Sequence, residues 1–546
     1  MKRKAVAAVL TAVMVASMFT GCGSDNGSSS AKSASAASAA SAAYETVDED
    51  GNINGIMYQE GLPLVDEGDY TFSIFCDDSS ESGEFIMLDE FKKQTNVDVD
   101  LKIYPYETAT ERLNLDLNSG DYADVIGGWT LSDNAILTYG VNQGVFIPLE
   151  DYFEKYCPNI SAILDLPGVR EKMTAPDGHI YTIPYVCTDT TVGYSPYINT
   201  KWLENVGMSM PTTTDEFEAV LKAFKEQDAN GNGDASDEIP FSTDPNNKHI
   251  EAMAGYFGLP MNKLGIAIQN EKVVYGGVSD TYREFLSWFH KLYAEGLVDV
   301  ELYTQDSSTW EGKGNQDLYG VSIAYGSNEF TGIPAAEERG DFDSMPVLNT
   351  DKDGIWLRDT EGFSVYRTQA VITNKAEHPE IICRWFDNAF ALENGIGCNR
   401  GPVGVIVNKE DDGYHAIDTT TLSEEDQEKY SWGNLWPQSL PKYLPVDFEF
   451  VEEHPMYDEK KATEEAYEAN LTKEIIPSYW IDLDKIDTFS DTNTAIKDFF
   501  EQQQAQFVCG ELDIDNDADW QAYVDGMYSL GLEDWVATQG IEEIAK

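Results

Sequence analysis

The chain has 546 residues, 12 % of them aromatic, and a formal net charge of −61. Such acidity excludes nucleic acid and anionic lipid as partners, because holding phosphate requires basic patches. The length is too great for a single core, so at least two lobes are expected.

The first stretch, MKRKAVAAVLTAVMVASMFTGCGS, opens with Lys2, Arg3 and Lys4, continues through an apolar run, Ala5 to Met18, and reaches small residues before a cysteine. That is the layout of an export signal, and Phe19-Thr20-Gly21-Cys22 resembles the end of a bacterial lipoprotein signal, with Phe19 where Leu is usual. The resemblance implies that residues 1–22 are the signal and that Cys22 becomes a lipidated N-terminus, anchored stably by more than one acyl chain. An ordinary secretory signal is the alternative. Residues 23–45 contain SSSAKSASAASAASAA and read as a flexible tether. No other stretch is long and apolar enough to span a bilayer. The expected location is the cell membrane, lipid-anchored on its extracytoplasmic face.

In chain order, residues 69–75 (DYTFSIF) alternate as a strand, 84–91 form an amphipathic helix, and 97–104 alternate again. Residues 123–126 are a short buried strand ending in Gly127-Gly128-Trp129. Strand, helix, strand, helix, strand is the pattern of an α/β sheet with crossovers, whose ligands sit at the carboxyl ends of the strands. Two extended segments follow at 178–185 and 191–198. Thr213-x-x-Glu216 is a capping box opening a helix with Phe217, Val220, Leu221 and Phe224 on one face. Residues 282–293 read as a helix, 318–324 and 370–373 as strands, 379–392 as a helix, and the tail from Asn493 as helical.

Between the helix after Thr213 and a strand at Ile239-Pro240-Phe241 lies DANGNGDASDEIP, residues 228–240. Asp228, Asn230 and Asn232 stand at positions 1, 3 and 5 of a helix-loop-helix calcium site, with Gly233 at 6 and Asp234 at 7. Position 12 is Ile239; Asp237 and Glu238 arrive early, and a strand replaces the second helix. A sensor that opens on binding is therefore not expected. A structural calcium clip is, made by Asp228, Asn230, Asn232, Asp234, Asp237 and Glu238, against the plainer reading of an exposed Asn-Gly turn. The run from Asp513 to Asp519 lacks glycine and reads as a helix-capping loop. The seven cysteines form no C-x-x-C pair and there is no H-E-x-x-H, so zinc is not expected. Cys383 with Cys398 is the pair to test for a disulfide.

The order of these pieces, with PDGHIYTIPY, YSPYINTKWLENVGMSMPTTTDEFEAVLKAFKEQD, residues 370–390 (AVITNKAEHPEIICRWFDNAF) and the tail 505–539, resembles the extracellular solute-binding proteins of ABC importers. The carbohydrate-binding lipoproteins are the branch it resembles most. The resemblance implies a two-lobe α/β fold with crossing hinge strands, of the periplasmic-binding-protein (Venus-flytrap) type, closing on its ligand. Its crossings would fall near residues 185–194 and 362–371. The first lobe would be 69–188 plus 365–400, the second 189–364 plus 401–546. It also implies an ABC permease as partner, a sugar or oligosaccharide as ligand, and no catalysis; a monomer is expected.

Sugar sites need aromatic faces under the ring's C–H side and planar hydrogen-bonding groups around its hydroxyls. Aromatics near strand ends and hinges are Trp129, Tyr185, Trp310, Tyr325 and Trp436; polar candidates are Asn328, Arg400 and Asn434. Each aromatic competes with a core-packing reading, and Arg400 with an interlobe salt bridge. A secreted glycoside hydrolase using paired carboxylates, or a peptide binder on the same fold, remain alternatives. No G-x-S-x-G, P-loop or metalloprotease motif is present.

Overall fold

The computed structural model describes residues 46–48, 51–78, 84–245, 249–332, 341–417, 419–446, 448–451 and 455–545. The expected signal, its Cys22 and the tether lie outside them. Among the described residues no helix is long and apolar enough to cross a membrane.

Strand β1 (Tyr70–Asp77) runs parallel to β2 (Val97–Tyr104), paired from Tyr70 with Val97 through Asp77 with Tyr104, and parallel to β3 (Val125–Gly127). Parallel neighbours need crossovers. The helix Ile86–Thr95 supplies one; it buries Met87 and Phe91 and stops at Asn96, whose φ of 60° is left-handed. After β4 (Thr182–Thr188) the chain leaves this sheet and builds a second one from β5 (Ser195–Asn199) and β6 (Ile239–Thr243). The hairpin β7 (Ile266–Gln269) and β8 (Lys272–Tyr275) follows, then β9 (Tyr319–Ala324) and β10 (Phe342–Ser344) of the second sheet. Strand β11 (Phe363–Ile372) returns to the first. The two sheets have strand orders β2-β1-β3-β11-β4 and β10-β5-β9-β6. Each is the centre of its own lobe.

The helix after the capping box runs Thr214–Glu226, with the Thr213 hydroxyl accepting from Glu216 N at 3.2 Å. The Glu216 carboxylate reaches back to Thr212, accepting from its N–H at 2.9 Å and its hydroxyl at 2.8 Å. Phe217, Val220, Leu221 and Phe224 are all buried in the second lobe's core. Burying each such side chain contributes roughly 1.5–3 kcal/mol, which is what holds this helix to β6. The tail forms helices Ile486–Cys509, Asp517–Ser529 and Leu532–Thr538. It ends in a short strand, Glu543–Ile544, parallel to β8, which the purely helical reading of the tail missed. Asn516 caps the helix Asp517–Ser529 through Ala518 N at 2.9 Å, so the acidic run there is a capping loop.

The lobe boundaries differ from expectation at residues 435–443. Trp436 and Leu440 are fully buried in the first lobe's core, where Trp436 stacks on Trp385 at 5.7 Å. Leu435 O accepts from Met87 N at 3.0 Å, and Gln438 N donates to Asp78 at 2.7 Å. This part of the expected second lobe belongs to the first because two large apolar side chains fill the gap beside the helix Pro379–Ala389. Ile53, Met57, Leu64 and Val65, ahead of the expected start, join the same core. Cys383 and Cys398 are both free and buried; the thiol beside Cys383 is that of Cys157.

Candidate functional site

The chain crosses between the sheets after β4 and again before β11, and the two crossings are bonded side by side. Asp189 N donates to Gly362 O at 3.1 Å, and Asp359 N to Thr191 O at 3.0 Å. Asp189 accepts from the Ser364 hydroxyl at 2.5 Å and from the Tyr325 hydroxyl at 3.3 Å. The helix Pro455–Tyr467 grips the first crossing from the second lobe. Its Glu464 accepts from Thr191 N at 2.6 Å, and its Lys460 donates to Gly193 O at 2.6 Å and to Tyr325 O.

On these crossings three aromatic rings meet. Register places Tyr366 of β11 opposite Tyr185 of β4. Their rings stack at 5.5 Å, and Trp129 stands edge-on to Tyr366 at 5.4 Å with 44 % of its surface exposed. Trp129 is aimed by Asp77 at the end of β1, which accepts from Trp129 N at 2.9 Å and Thr130 N at 2.6 Å. Burial raises the Asp77 pKa while those hydrogen bonds oppose the rise. Gly128 makes the approach possible: its φ is +132°, and a Cβ there would lie 2.1 Å from Asp77 Oδ1.

Two further exposed aromatics belong to the same lobe, Tyr106 and Trp432. Lys442 lies 5.2 Å from the Trp432 ring and donates to Gln438 Oε1. Burial, with a smaller push from Arg400 nearby, brings its pKa down to about 8. From the other lobe Tyr325 carries Lys460 over its ring at 4.1 Å and meets Tyr194 edge-on. Tyr194 stacks on His249 at 4.0 Å; burial lowers the His249 pKa to about 4, leaving it neutral. Glu329 accepts from Tyr325 N at 2.9 Å, and burial raises its pKa to about 7.

Beside this group Arg367 forms a paired contact with Asp133 at 2.8 and 2.6 Å and lies 4.1 Å over the Trp480 ring. A space of about 270 Å³ touches Tyr366, Arg367, Asp133 and Ser478. It adjoins a cavity of about 370 Å³ that shares Asp133 and Ser478 and reaches Leu264 and Leu357 of the second lobe. Such volumes suit a small ligand or one or two sugar units.

The structure thus brings Trp129, Tyr185 and Tyr325 to the crossings, with Asn328 opening the short helix just after Tyr325. Trp310 is not there: it is buried, donates to the Ser322 hydroxyl at 3.2 Å and packs on Phe330. Trp436 is core as well. Both end up inside because their flat rings fill gaps between elements, a role sequence position does not distinguish from ligand stacking. Asn434 closes a turn by donating to Glu428 O at 2.9 Å, and Arg400 lies 5.8 Å over the Phe450 ring. Sequence reasoning missed Tyr366, Trp432, Lys442, Lys460 and Asp189. Tyr366 and Asp189 left a signal, each lying within an expected crossing.

The loop 228–238 closes on itself through its own oxygens. Asp228 accepts from Gly233 N at 3.0 Å, Asn230 from Asn232 N at 3.0 Å, and Asn232 from Asp234 N at 2.8 Å. Asp237 accepts from the amides of Asn230 and Asn232 at 3.2 and 2.7 Å, and Glu238 from Ala229 N at 2.9 Å. Asp228 Oδ1 and Glu238 Oε2 remain buried without a hydrogen-bond partner. Two orphaned carboxylate oxygens at the loop's two ends are costly unless a cation satisfies them. The oxygen-only donor set suits a hard cation such as calcium.

Comparison with known proteins adds to this geometry. The family model described as bacterial extracellular solute-binding protein matches residues 79–395. The fructooligosaccharide ABC transporter substrate-binding protein FusA of Streptococcus pneumoniae is 33 % identical over 335 residues, 59 % of this chain and 61 % of FusA. Lipoprotein LipO of Bacillus subtilis is 28 % identical over 280 residues, 50 % of this chain and 52 % of LipO. The chain therefore aligns with between half and two thirds of the length of these two curated relatives. In three dimensions the S. pneumoniae FusA EF-hand mutant in complex with fructo-nystose superimposes with a TM-score of 0.75 at 27 % identity, covering 86 % of this chain and 98 % of that one.

Proposed function

Because this chain belongs to the bacterial extracellular solute-binding protein family, we propose that it captures a sugar or oligosaccharide between its two lobes and delivers it to an ABC permease. The observation that carries the reading is the Trp129, Tyr185 and Tyr366 group on the crossings, with Trp129 half-exposed. Aromatic faces at a hinge offer a pyranose or furanose ring its apolar partner, and closure of the lobes then buries the hydroxyls against Asp189, Tyr325 and Lys442. FusA, named for fructooligosaccharides, supports the same class. The proposed ligand contacts are Trp129, Tyr185, Tyr325 and Asn328, together with Tyr366, Trp432 and Lys442. The chain acts as a monomer, held by lipid on Cys22 at the outer face of the membrane, and has no catalytic role.

The loop 228–238 is read as a structural calcium clip on the second lobe, with Asp228 and Glu238 as its end ligands. The EF-hand named in the FusA mutant supports that reading. The test is thermal unfolding of the full chain in detergent against mono- and oligosaccharides and peptides, with calcium and with chelator. A ligand that binds the native state alone raises the midpoint with its concentration. A rise with one sugar series is expected; a rise with peptides alone would move the ligand class, and product formation from a glycan would move the protein to the glycoside hydrolases.

A further inference from the structure

We propose that Cys157 and Cys383 are joined by a disulfide in the exported protein. Both lie in the first lobe's core, 1 % and 0 % exposed, and their thiols are in hydrogen-bond contact. Cys157 is the corner between the helices Glu150–Tyr156 and Pro158–Leu164. Cys383 is on the helix Pro379–Ala389, one turn before Asp387 and on the same face. Asp387 fixes the corner against that face. Its carboxylate accepts from Ile160 N at 2.8 Å and from the Asn159 side-chain amide at 2.9 Å, and its backbone O from the same amide at 3.2 Å. The corner's own backbone is held as well, with Cys157 N donating to Phe153 O at 3.0 Å and Ser161 N to Cys157 O at 2.9 Å. Both cysteines therefore stand on backbone that other groups position. Thiols in contact on such anchors need side-chain rotation, and not a helix movement, to reach bonding geometry. The other four described cysteines meet different groups. Cys76 lies 3.1 Å from the Ser439 hydroxyl, Cys187 beside Tyr185, Cys509 beside Tyr293, and Cys398 within electrostatic reach of Lys442.

The family is extracellular, and disulfides form and persist outside the cell. The oxidant is a low-molecular-weight disulfide of that medium. One cysteine thiolate attacks a sulfur of this disulfide, forming a mixed disulfide and releasing one small thiol. The second cysteine then attacks the protein sulfur, forming the Cys157–Cys383 bond and releasing the other small thiol. Two electrons pass to the oxidant, and both cysteine protons finish on the released thiols. Burial holds the Cys157 thiol well above the ordinary thiol range, so thiolate is scarce once the core has closed and the exchange belongs to folding. The bond closes a loop from 157 to 383 that contains β4, both crossings and β11. It ties the unfolded chain across its first excursion into the second lobe and back, which restricts that chain's freedom and stabilises the fold. The bond uses none of the platform residues and is independent of which ligand the cleft takes.

The test is peptide mapping of the full chain, taken from the surface of cells that export it, with free thiols blocked by N-ethylmaleimide in denaturant and without reductant. A linked pair of peptides carrying Cys157 and Cys383 is expected, with Cys76, Cys187, Cys398 and Cys509 each blocked. Reduction of the same protein in detergent should lower its unfolding midpoint by on the order of 5 °C. Cys157→Ala combined with Cys383→Ala should remove that response to reductant, whereas Cys398→Ala should keep it. Cys157 and Cys383 both found carrying the maleimide, or Cys383 linked to Cys398, overturns the proposal on the wild-type chain with no variant needed.

Discussion

Tyr366 stacks on Tyr185 with 5.5 Å between ring centroids and 27° between planes, and the two strands that carry them are the ones by which the chain passes between the lobes. Any rotation about the hinge therefore moves the platform and the crossing together. Trp129, edge-on at 5.4 Å, completes the platform from the end of β3. Replacing Trp129 or Tyr366 with alanine should weaken sugar binding by about 1–3 kcal/mol, roughly 5- to 150-fold, with little change in unfolding midpoint for the exposed Trp129. Calorimetry paired with thermal unfolding separates the two effects.

Gly128→Ala should act through Asp77. The added Cβ would fall 2.1 Å from Asp77 Oδ1 at a φ of +132°, so the turn must shift and the hydrogen bonds to Trp129 N and Thr130 N stretch. A stability loss of about 1–3 kcal/mol is expected, together with weaker sugar binding. Urea titration checks the first, ligand titration the second; an unchanged variant would show that the turn has slack.

Chelation should lower the unfolding midpoint of the wild-type chain, and added calcium should restore it. Asp228→Asn or Glu238→Gln should abolish most of that response, since each removes charge at an oxygen left without a partner. Sugar affinity measured with calcium present should change little in either variant, because the loop lies between helix Thr214–Glu226 and β6 in the chain and contributes none of the crossing residues.

The Glu329 pKa is raised by burial to about 7 from an ordinary 4.5. A carboxyl whose folded pKa lies above its unfolded one favours the folded state when protonated. Its contribution is full below about pH 4.5 and is lost as the pH rises through about 7. Glu329→Gln, which keeps an acceptor for Tyr325 N, should therefore gain stability relative to wild type at pH 8, by on the order of 1 kcal/mol, and lose that advantage toward pH 5. Denaturant unfolding at the two pH values measures the difference. Lys442 and Lys460, both lowered to about 8, act in the opposite sense: their contributions fall as the pH drops through about 8.

Trp436→Ala should cost about 3–5 kcal/mol of stability, because the ring is fully buried against Trp385 and Phe91. A variant that loses sugar binding at unchanged stability would instead return Trp436 to the cleft.

Much of the architecture is local and so was readable along the chain. Alternation marks Val97–Tyr104, and the Thr213 cap with Phe217, Val220, Leu221 and Phe224 marks the helix Thr214–Glu226. The loop from Asp228 to Glu238 announces its oxygens by spacing alone. Trp129 and Tyr325 were findable because each follows a buried strand. The other half of the site depended on contacts far apart in sequence. Tyr366 became a platform only through its register with Tyr185, 181 positions earlier. Lys442 and Trp432 are carried to the first lobe by Trp436 and Leu440, on the same segment, which sink into that lobe's core. An aromatic residue carries the same apolar surface whether it meets a sugar or another ring. Trp129 and Trp310 are alike as letters, and only the packing of distant elements decided that one would be left open and the other covered.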